Sequence, residues 1–271
     1  MFSNPDTCLA YVIRLRWPNG IACPRCGCVE VSFLSTRRVW KCKACVKQFS
    51  AKVGTIFEDS ALGLDKWLVA MWLICSAKNG ISSCEVARSI GVTQKSAWHM
   101  LHRIRLAMRT GSFAKLSGQV EADETYIGGL EKNKHKDKKK NLGRGDVGKE
   151  IVFGMRQRGG DVHTMHIQDT TKDTLQGAIK ANVEKGSDVY TDTWAVYKGL
   201  GTVYAHSSVN HNIGQYRKGE TCTNGMENYW SILKRAYKGT YTHVEPHHLH
   251  RYLAQEDFPI QQPTIQGWRA F

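Results

Sequence analysis

The chain has 271 residues, 41% of them hydrophobic and 10% aromatic, which is enough apolar material for a folded core and argues against a disordered chain. Lysine and arginine outnumber aspartate and glutamate by 38 to 24, and the net charge of +14 calls for a polyanionic partner, either nucleic acid or an acidic membrane face. The longest apolar run, Trp67 to Cys75, is about half of the roughly 18 residues a spanning helix needs, so no membrane association is expected. The opening MFSNPDTCLAYVIRLRW lacks the basic leader, apolar stretch and cleavage site of a signal peptide. Nine cysteines, bunched in the first third of the chain, make a poor disulfide framework and fit a metal site in a reducing cytoplasm.

In chain order, residues 1–20 read as a short amphipathic helix stopped by Trp17-Pro18-Asn19-Gly20. Residues 21–52 hold two Cys-x-x-Cys knuckles joined by β-prone stretches around Val31 and Val39. Residues 64–78 place Leu64, Trp67, Leu68, Met71, Trp72 and Cys75 on one helical stripe. Residues 82–108 read as two helices broken at Ile90-Gly91-Val92, with Ser82 or Ser83 capping the first and Thr93 the second. From about residue 118 the texture changes. Gln119–Ile127 alternates as a strand, and 150–157 and 162–168 form a hairpin about Gly159-Gly160. A helix at 171–185, a strand at 188–191, a short helix at 193–200, a strand at 202–206 and a last helix at 225–237 follow. This order predicts a mixed α/β sheet with helices on its faces.

Cys23, Cys26, Cys42 and Cys45 have the Cys-x₂-Cys-x₁₅-Cys-x₂-Cys spacing of a structural zinc site, in which two tight turns each offer two thiolates to one tetrahedral ion. Cys28 is a spare thiol that the knuckle spacing disfavours. Such a small unit has little core, so the metal supplies much of its folding free energy. Arg25, Arg37, Arg38, Lys41, Lys43 and Lys47 tilt it toward phosphate. Residues 82–108 have the size and turn of a helix-turn-helix, whose second helix opens with Thr93, Gln94, Lys95 and Ser96; Lys95 and Arg103 are its expected DNA contacts. An ordinary helical hairpin is the competing reading.

Three acids stand out by context. Asp123 sits in a strand, Asp192 ends one, and Glu227 opens the last helix. Adjacent strands and a helix laid across them would gather carboxylates that repel one another without a cation, a donor set suited to two Mg²⁺ ions acting on a phosphodiester. Lys234, seven residues after Glu227, shares its helix face and can hold a phosphate; Trp230, on the same face, can pack on a base or sugar. Alternatives stay open at this level. Asn224 with Glu227 makes a capping pair, Asn228 neighbours Glu227, Asp192 can cap the helix after it, and Glu121 and Glu124 rival Asp123. The basic run at 131–145, with Lys138, Lys139, Lys140 and Arg144, reads as a DNA clamp. Histidines at 206, 211, 243, 247, 248 and 250 read as phosphate contacts or surface residues, not as a second metal site.

RWPNGIACPRCG (16–27), WKCKACVKQFSAKVGTIFEDS (40–60), VEADETYIGG (120–129), GSDVYTDTWAVY (186–197) and TNGMENYWSILKRAYKGTYTHVEPHHLHRYL (223–253) together resemble the ISXO2-like insertion-sequence transposases, which join an N-terminal zinc ribbon to a DDE core of ribonuclease H-like fold. The resemblance implies Asp123, Asp192 and Glu227 as ligands of two catalytic Mg²⁺ ions (Mn²⁺ able to substitute), with Lys234 as basic partner. It implies one structural Zn²⁺, cleavage at insertion-sequence ends and transfer of 3′-hydroxyls into target DNA. Double-stranded DNA is then the partner, contacted also by Arg235. A homodimer or larger synaptic assembly and a cytoplasmic, nucleoid-associated location are expected. The expected domains are a zinc ribbon with its short helix at 1–60, a helix-turn-helix segment at 61–112, the core at 118–255 and a divergent tail at 256–271. Two departures are visible: Cys222 stands where the family commonly has His, and after Gln255 the family's aromatic and basic pattern is lost.

Overall fold

Asn4 opens the first helix, α1 (Pro5–Arg16), by accepting from the backbone N–H groups of Asp6 and Thr7, with proline at the first helical position where a missing N–H costs nothing. The computed structural model describes residues 4–109, 114–129, 135–139, 148–210, 213, 217 and 219–261. A three-stranded antiparallel sheet follows, β1 (Val31–Leu34), β2 (Val39–Cys42) and β3 (Gln48–Phe49), in the order β1-β2-β3. The two-residue β3 is too short to leave an alternation in the sequence. Trp40 stacks on Phe49 at 6.0 Å, and Trp17 meets Trp40 edge-on at 5.7 Å. Helix α2 (Leu64–Ser76) buries Leu64, Trp67, Leu68 and Met71 as its stripe requires, while Trp72 stays half exposed. Helix α3 (Ser83–Ile90) is capped by the Ser82 hydroxyl, and Gly91 at φ 62° turns the chain toward α4 (Gln94–Met108), whose Ser96 N–H donates to Thr93. Ribbon and helices through Ala107 thus make one unit, and a second begins at Met108.

The second unit is built on a five-stranded mixed sheet. Its strands are β4 (Gln119–Ile127), β5 (Glu150–Gln157), β6 (Val162–Ile167), β7 (Asp188–Asp192) and β8 (Ala205–Val209), in the order β6-β5-β4-β7-β8. The first three form an antiparallel meander, and β7 and β8 run parallel to β4. This is the ribonuclease H-like arrangement. One face carries α5 (Lys172–Asn182), which packs Leu175 and Ile179 against Val120, Ala122, Phe153 and Met155. The other carries α6 (Asn224–Ala236) and α7 (Leu249–Gln261), with Met226, Trp230, Leu233, Leu249 and Leu253 gathered against Ile127 and Val152. Alternation along β4 therefore sends Val120 and Ala122 to the α5 side and Glu121 and Asp123 to the α6 side.

The sequence expectations fail where loops decide. The helix expected at 193–200 is two single 3₁₀ turns, at Ala195–Tyr197 and Leu200–Thr202, separated by Gly199 at φ 100°. The strand expected at 202–206 is displaced to Ala205–Val209, because its register is set by parallel pairing with β7. Helix α5 ends at Asn182, since Val183 turns away to bridge Leu116. Helix α7 is absent from the sequence reading. Its His-rich start hides the period, and it contains Glu256 and Asp257, both buried, so the expected boundary after Gln255 falls inside a helix.

Helix α6 lies close on the sheet because Gly154 in β5 has no side chain: a Cβ there would lie 2.6 Å from the Trp230 ring and collide with the Met226 methyl. Gly154→Ala is expected to lower stability by about 1–3 kcal/mol through overpacking. Urea unfolding checks this; Gly177→Ala, where open space surrounds the Cβ position, serves as the control.

Candidate functional site

The four knuckle thiols converge. Cys23, Cys26, Cys42 and Cys45 have sulfurs all within 4.8 Å of one another, with Cys26–Cys42 at 3.5 Å and Cys23–Cys45 at 3.7 Å. The edge of a tetrahedron with 2.3 Å Zn–S bonds is about 3.8 Å, so the donor set fits a structural zinc ion. Cys28 points instead at the Glu30 carbonyl, so the spare thiol is outside the cluster. Backbone N–H donation from Cys45 outweighs the opposing effect of burial and helps hold the Cys42 thiol down at about 6, the thiolate form a metal takes. Among the described residues these four are the only group of three or more His, Cys, Asp or Glu side chains drawn so tightly together.

The second site is on the sheet. β4 and β7 pair in parallel, with Gln119 beside Asp188 and Glu121 beside Tyr190, and the same register carried two residues on sets Asp192 beside Asp123. Burial, countered by a hydrogen bond from the Trp230 indole and raised further by the charges of Asp192 and Glu227, pushes the Asp123 carboxyl up to about 6. All three acids thus act within one field. Lys234 is in it too: burial lowers its ammonium, and the Asp123 charge pulls the other way. Asp192 accepts from the Trp194 N–H at 3.0 Å, so the turn after β7 fixes one of its oxygens. Asp123, Asp192 and Glu227 offer oxygen donors alone, the donor chemistry that hard divalent cations such as Mg²⁺ take.

The rival carboxylates have other duties. Glu121, on the Asp123 face, is buried, accepts from Arg158 at 3.0 Å and accepts the Met226 backbone N–H at 3.0 Å. It thereby satisfies an N–H in the first turn of α6, whose N-cap is Thr223, with no capping bond from its own side chain, so the alternative Asn224–Glu227 capping pair does not form. Gly225 makes room, since a Cβ there would lie 2.6 Å from the Glu121 carboxylate. Arg158 also reaches the Cys222 carbonyl and sulfur, at 3.3 and 2.8 Å, so Cys222 belongs to this clamp. Glu124 points the other way and accepts from the Tyr197 hydroxyl at 2.6 Å, and burial pushes it up to about 7. Arg158 and Tyr197 are not singled out by the sequence, and Glu121 stands there only as a rival ligand, not as the partner of Arg158. The available signal was a charged residue at a core position of a strand, which demands a partner.

Of the expected DNA contacts, Lys95 at the start of α4 and Arg235 on α6 are exposed. Two correct the expectation. Trp230 is buried and donates its indole N–H to Asp123 at 2.9 Å, so its ring is no open stacking surface. Arg103 donates to the Glu58 carbonyl at 2.7 Å and lies over the Trp67 ring, which makes it part of its own unit's packing. Gln94, expected near base edges, donates to the Ser83 hydroxyl at 2.8 Å. Lys139 is half-buried; Lys140, Arg144 and the Lys138 side chain lie outside the described residues.

Two outcomes are expected. Cys26→Ser will lower zinc content and unfold the ribbon, whereas Cys28→Ser will keep one zinc per chain by atomic absorption and melt as wild type. The raised carboxyls of Asp123 (about 6), Glu124 (about 7) and Asp257 (about 7), each due first to burial, bind protons in the folded state that the unfolded chain, at about 4, has released. Without divalent cations, the stability that these three carboxyls contribute is therefore lost as pH rises from about 4 to about 7, while His163, His206, His248 and His250, pushed down by burial, act in the opposite direction. Asp123→Asn should flatten that dependence and remove any gain in melting temperature on adding Mg²⁺.

The model of the ISXO2-like transposase domain matches residues 115–259, past the divergence expected after Gln255, and that of the transposase zinc-ribbon domain matches residues 3–48. A protein in transposable element ISH50 of Halobacterium salinarum is 27% identical over 236 residues, 82% of this chain and 79% of its own length. A transposase-like protein of Haemophilus influenzae is 27% identical over 107 residues, 39% of this chain and 85% of its own. Among solved structures, a chain of the simian T-cell lymphotropic virus intasome is aligned over 73% of this chain and 72% of that one, with 13% identity and a TM-score of 0.32. A chain of the Mos1 strand transfer complex is aligned over 70% and 74%, with 10% identity and a TM-score of 0.27. At such scores the likeness is loose, and the fold rests on strand order and the family match. With its four-cysteine ribbon and its carboxylates on adjacent strands, this chain belongs to the ISXO2-like transposases.

Proposed function

We propose that the protein is a DNA transposase that cleaves DNA at insertion-sequence ends and transfers the 3′-hydroxyls into target DNA. The observation that carries this reading is the placement of Asp123 on β4 and Asp192 on its parallel neighbour β7, with α6, which bears Glu227 and Lys234, laid on the Asp123 face through the Trp230 hydrogen bond. Two Mg²⁺ ions (or Mn²⁺) held by Asp123, Asp192 and Glu227 would activate a water or 3′-hydroxyl and stabilise the leaving oxygen. The rest of the work falls to side chains. Trp230 holds one Asp123 oxygen and so fixes the direction of the other. Glu121 and Arg158 hold the start of α6, and with it Glu227. Lys234 offers a cation to a phosphate beside the carboxylates. Glu227 is favoured over Asn228 because its charge reaches Asp123 and because it stands two helical turns before Lys234. Among the described residues the hydroxyls of Tyr197 and Tyr229 donate to Glu124 and Asp257, and burial pushes both up, away from the nucleophilic phenolate, which fits in-line displacement without a covalent intermediate.

A zinc-ribbon and helix-turn-helix regulator with an inert core is the competing reading. Asp192→Asn separates the two. End cleavage and joining of a labelled 3′ end to a second duplex, with Mg²⁺ and DNA flanking the gene, should fall by at least about 10³-fold while duplex binding stays within about twofold. Unchanged joining by Asp192→Asn, or hydrolysis without joining by the wild type, would overturn the proposal.

A further inference from the structure

Away from the carboxylates, the outer side of the edge strand β6 borders a cleft of about 640 Å³. Its lining carries two permanent cations, Arg109 and Lys115 from the chain leading into the sheet, together with His163 and His166 from β6, His250 from α7 and Asn182 on the α5 side. The nearby acids are engaged. Glu150 is held by His166 at 2.7 Å. Asp257 accepts from the Thr164 N–H at 3.1 Å, the Thr164 hydroxyl at 2.8 Å and the Tyr229 hydroxyl. Asp161 acts on His163. Lys115 donates only to a carbonyl, that of Lys180 at 3.1 Å, and among the described residues no carboxylate lies within ion-pair distance of Arg109 or Lys115. Burial, then the charges of Arg109 and Arg251, push the His250 imidazole down from its ordinary value. Positive charge has been brought together here without a counter-charge.

A cation is the wrong ligand for such a lining, and among the described residues no histidine group is compact enough to hold a metal. The cleft is large enough for a nucleotide-sized group. It also lies two strands outboard of Asp123, through the aligned residues Asp123, Gly154 and Thr164, which is roughly 10 Å at the ordinary strand spacing. We infer that this cleft is a second nucleic-acid contact, in which Arg109, Lys115 and His250 bind the phosphodiester backbone of duplex DNA outside the carboxylate site. Arg and Lys neutralise the phosphate, and an imidazole N–H of His250 can donate to its oxygens; the Asn182 amide, which already donates to the Ala178 carbonyl at 2.9 Å, borders the site.

The inference rests on the protein acting on DNA, and its test keeps the two claims apart. Binding of full-length protein to a labelled duplex is measured without divalent cations across a salt series. The variants are Arg109→Gln with Lys115→Gln and, as a control for lost charge, Lys172→Gln with Lys198→Gln; all four positions are exposed. The cleft pair should weaken binding about tenfold near physiological salt and reduce the slope of log K against log salt by about 2, the control pair by much less. Equal losses in both pairs would mean diffuse charge and overturn the cleft, as would a cleft variant that binds as wild type. Wild-type protein that binds no duplex would overturn this inference together with the proposed function. Joining without change in the cleft variant, alongside normal binding, would overturn the cleft alone.

Discussion

The ion pair of Glu121 and Arg158, completed by the Met226 N–H, is the constraint on which the catalytic unit depends. A helix carrying one carboxylate must be laid against a sheet carrying two more, and like charges resist that approach. Here a buried carboxylate, itself neutralised by a guanidinium, accepts a backbone donor at the helix start, where the N–H groups are unpaired and the dipole is positive. Gly154 and Gly225 then remove the side chains that would keep the helix away. Breaking such a pair by deleting one partner costs more than its formation contributes, because the survivor is left charged and buried.

Strand β4 distributes three acids over four residues, and the pleat sends them to different neighbours. Glu121 and Asp123 share the α6 face, but the first is enclosed by Arg158 and the second has no cationic hydrogen-bond partner, only the Trp230 indole and the Glu124 backbone N–H, beside two acidic neighbours. Glu124 falls on the opposite face, against Tyr197. The contact to Tyr197 ties β4 to the segment that follows Asp192, so it contributes to the same geometry from behind the sheet. One carboxylate is thus left under-neutralised while its neighbours are consumed as scaffold, which is the condition a divalent cation relieves.

The ribbon solves a different problem. Its core amounts to Trp17, Trp40 and Phe49, and the thiol cluster stands in for the missing apolar mass. Its two knuckles are not equivalent. The residue after each second cysteine takes positive φ, Gly27 at 73° and Val46 at 58°. Glycine accepts that conformation freely, while a β-branched residue does so under strain, so a zinc ion on the four thiols would hold the second knuckle against its own backbone preference.

The sequence alone determined what depends on local spacing. The cysteine interval, the apolar stripe of α2, the Ser82 cap, the alternation of β4 and the hairpin about Gly159-Gly160 are short-range patterns and were legible as such. The three carboxylates were legible as candidates, because two follow strand-forming residues and the third precedes Lys234 by two turns. Tertiary structure decided what depends on partners distant in the chain. The parallel pairing of β7 and β8 moved a strand by three residues, and the turn after Asp192 became two 3₁₀ turns. Burial turned Trp230 from a candidate DNA contact into a packing residue, the Glu58 carbonyl and the Trp67 ring engage Arg103, and Cys222 is drawn to Arg158. Which of Glu121, Asp123 and Glu124 stays available was also settled there. All three are acids in one strand, and only the neighbours brought by α6, Arg158 and Tyr197 make their electrostatic environments different.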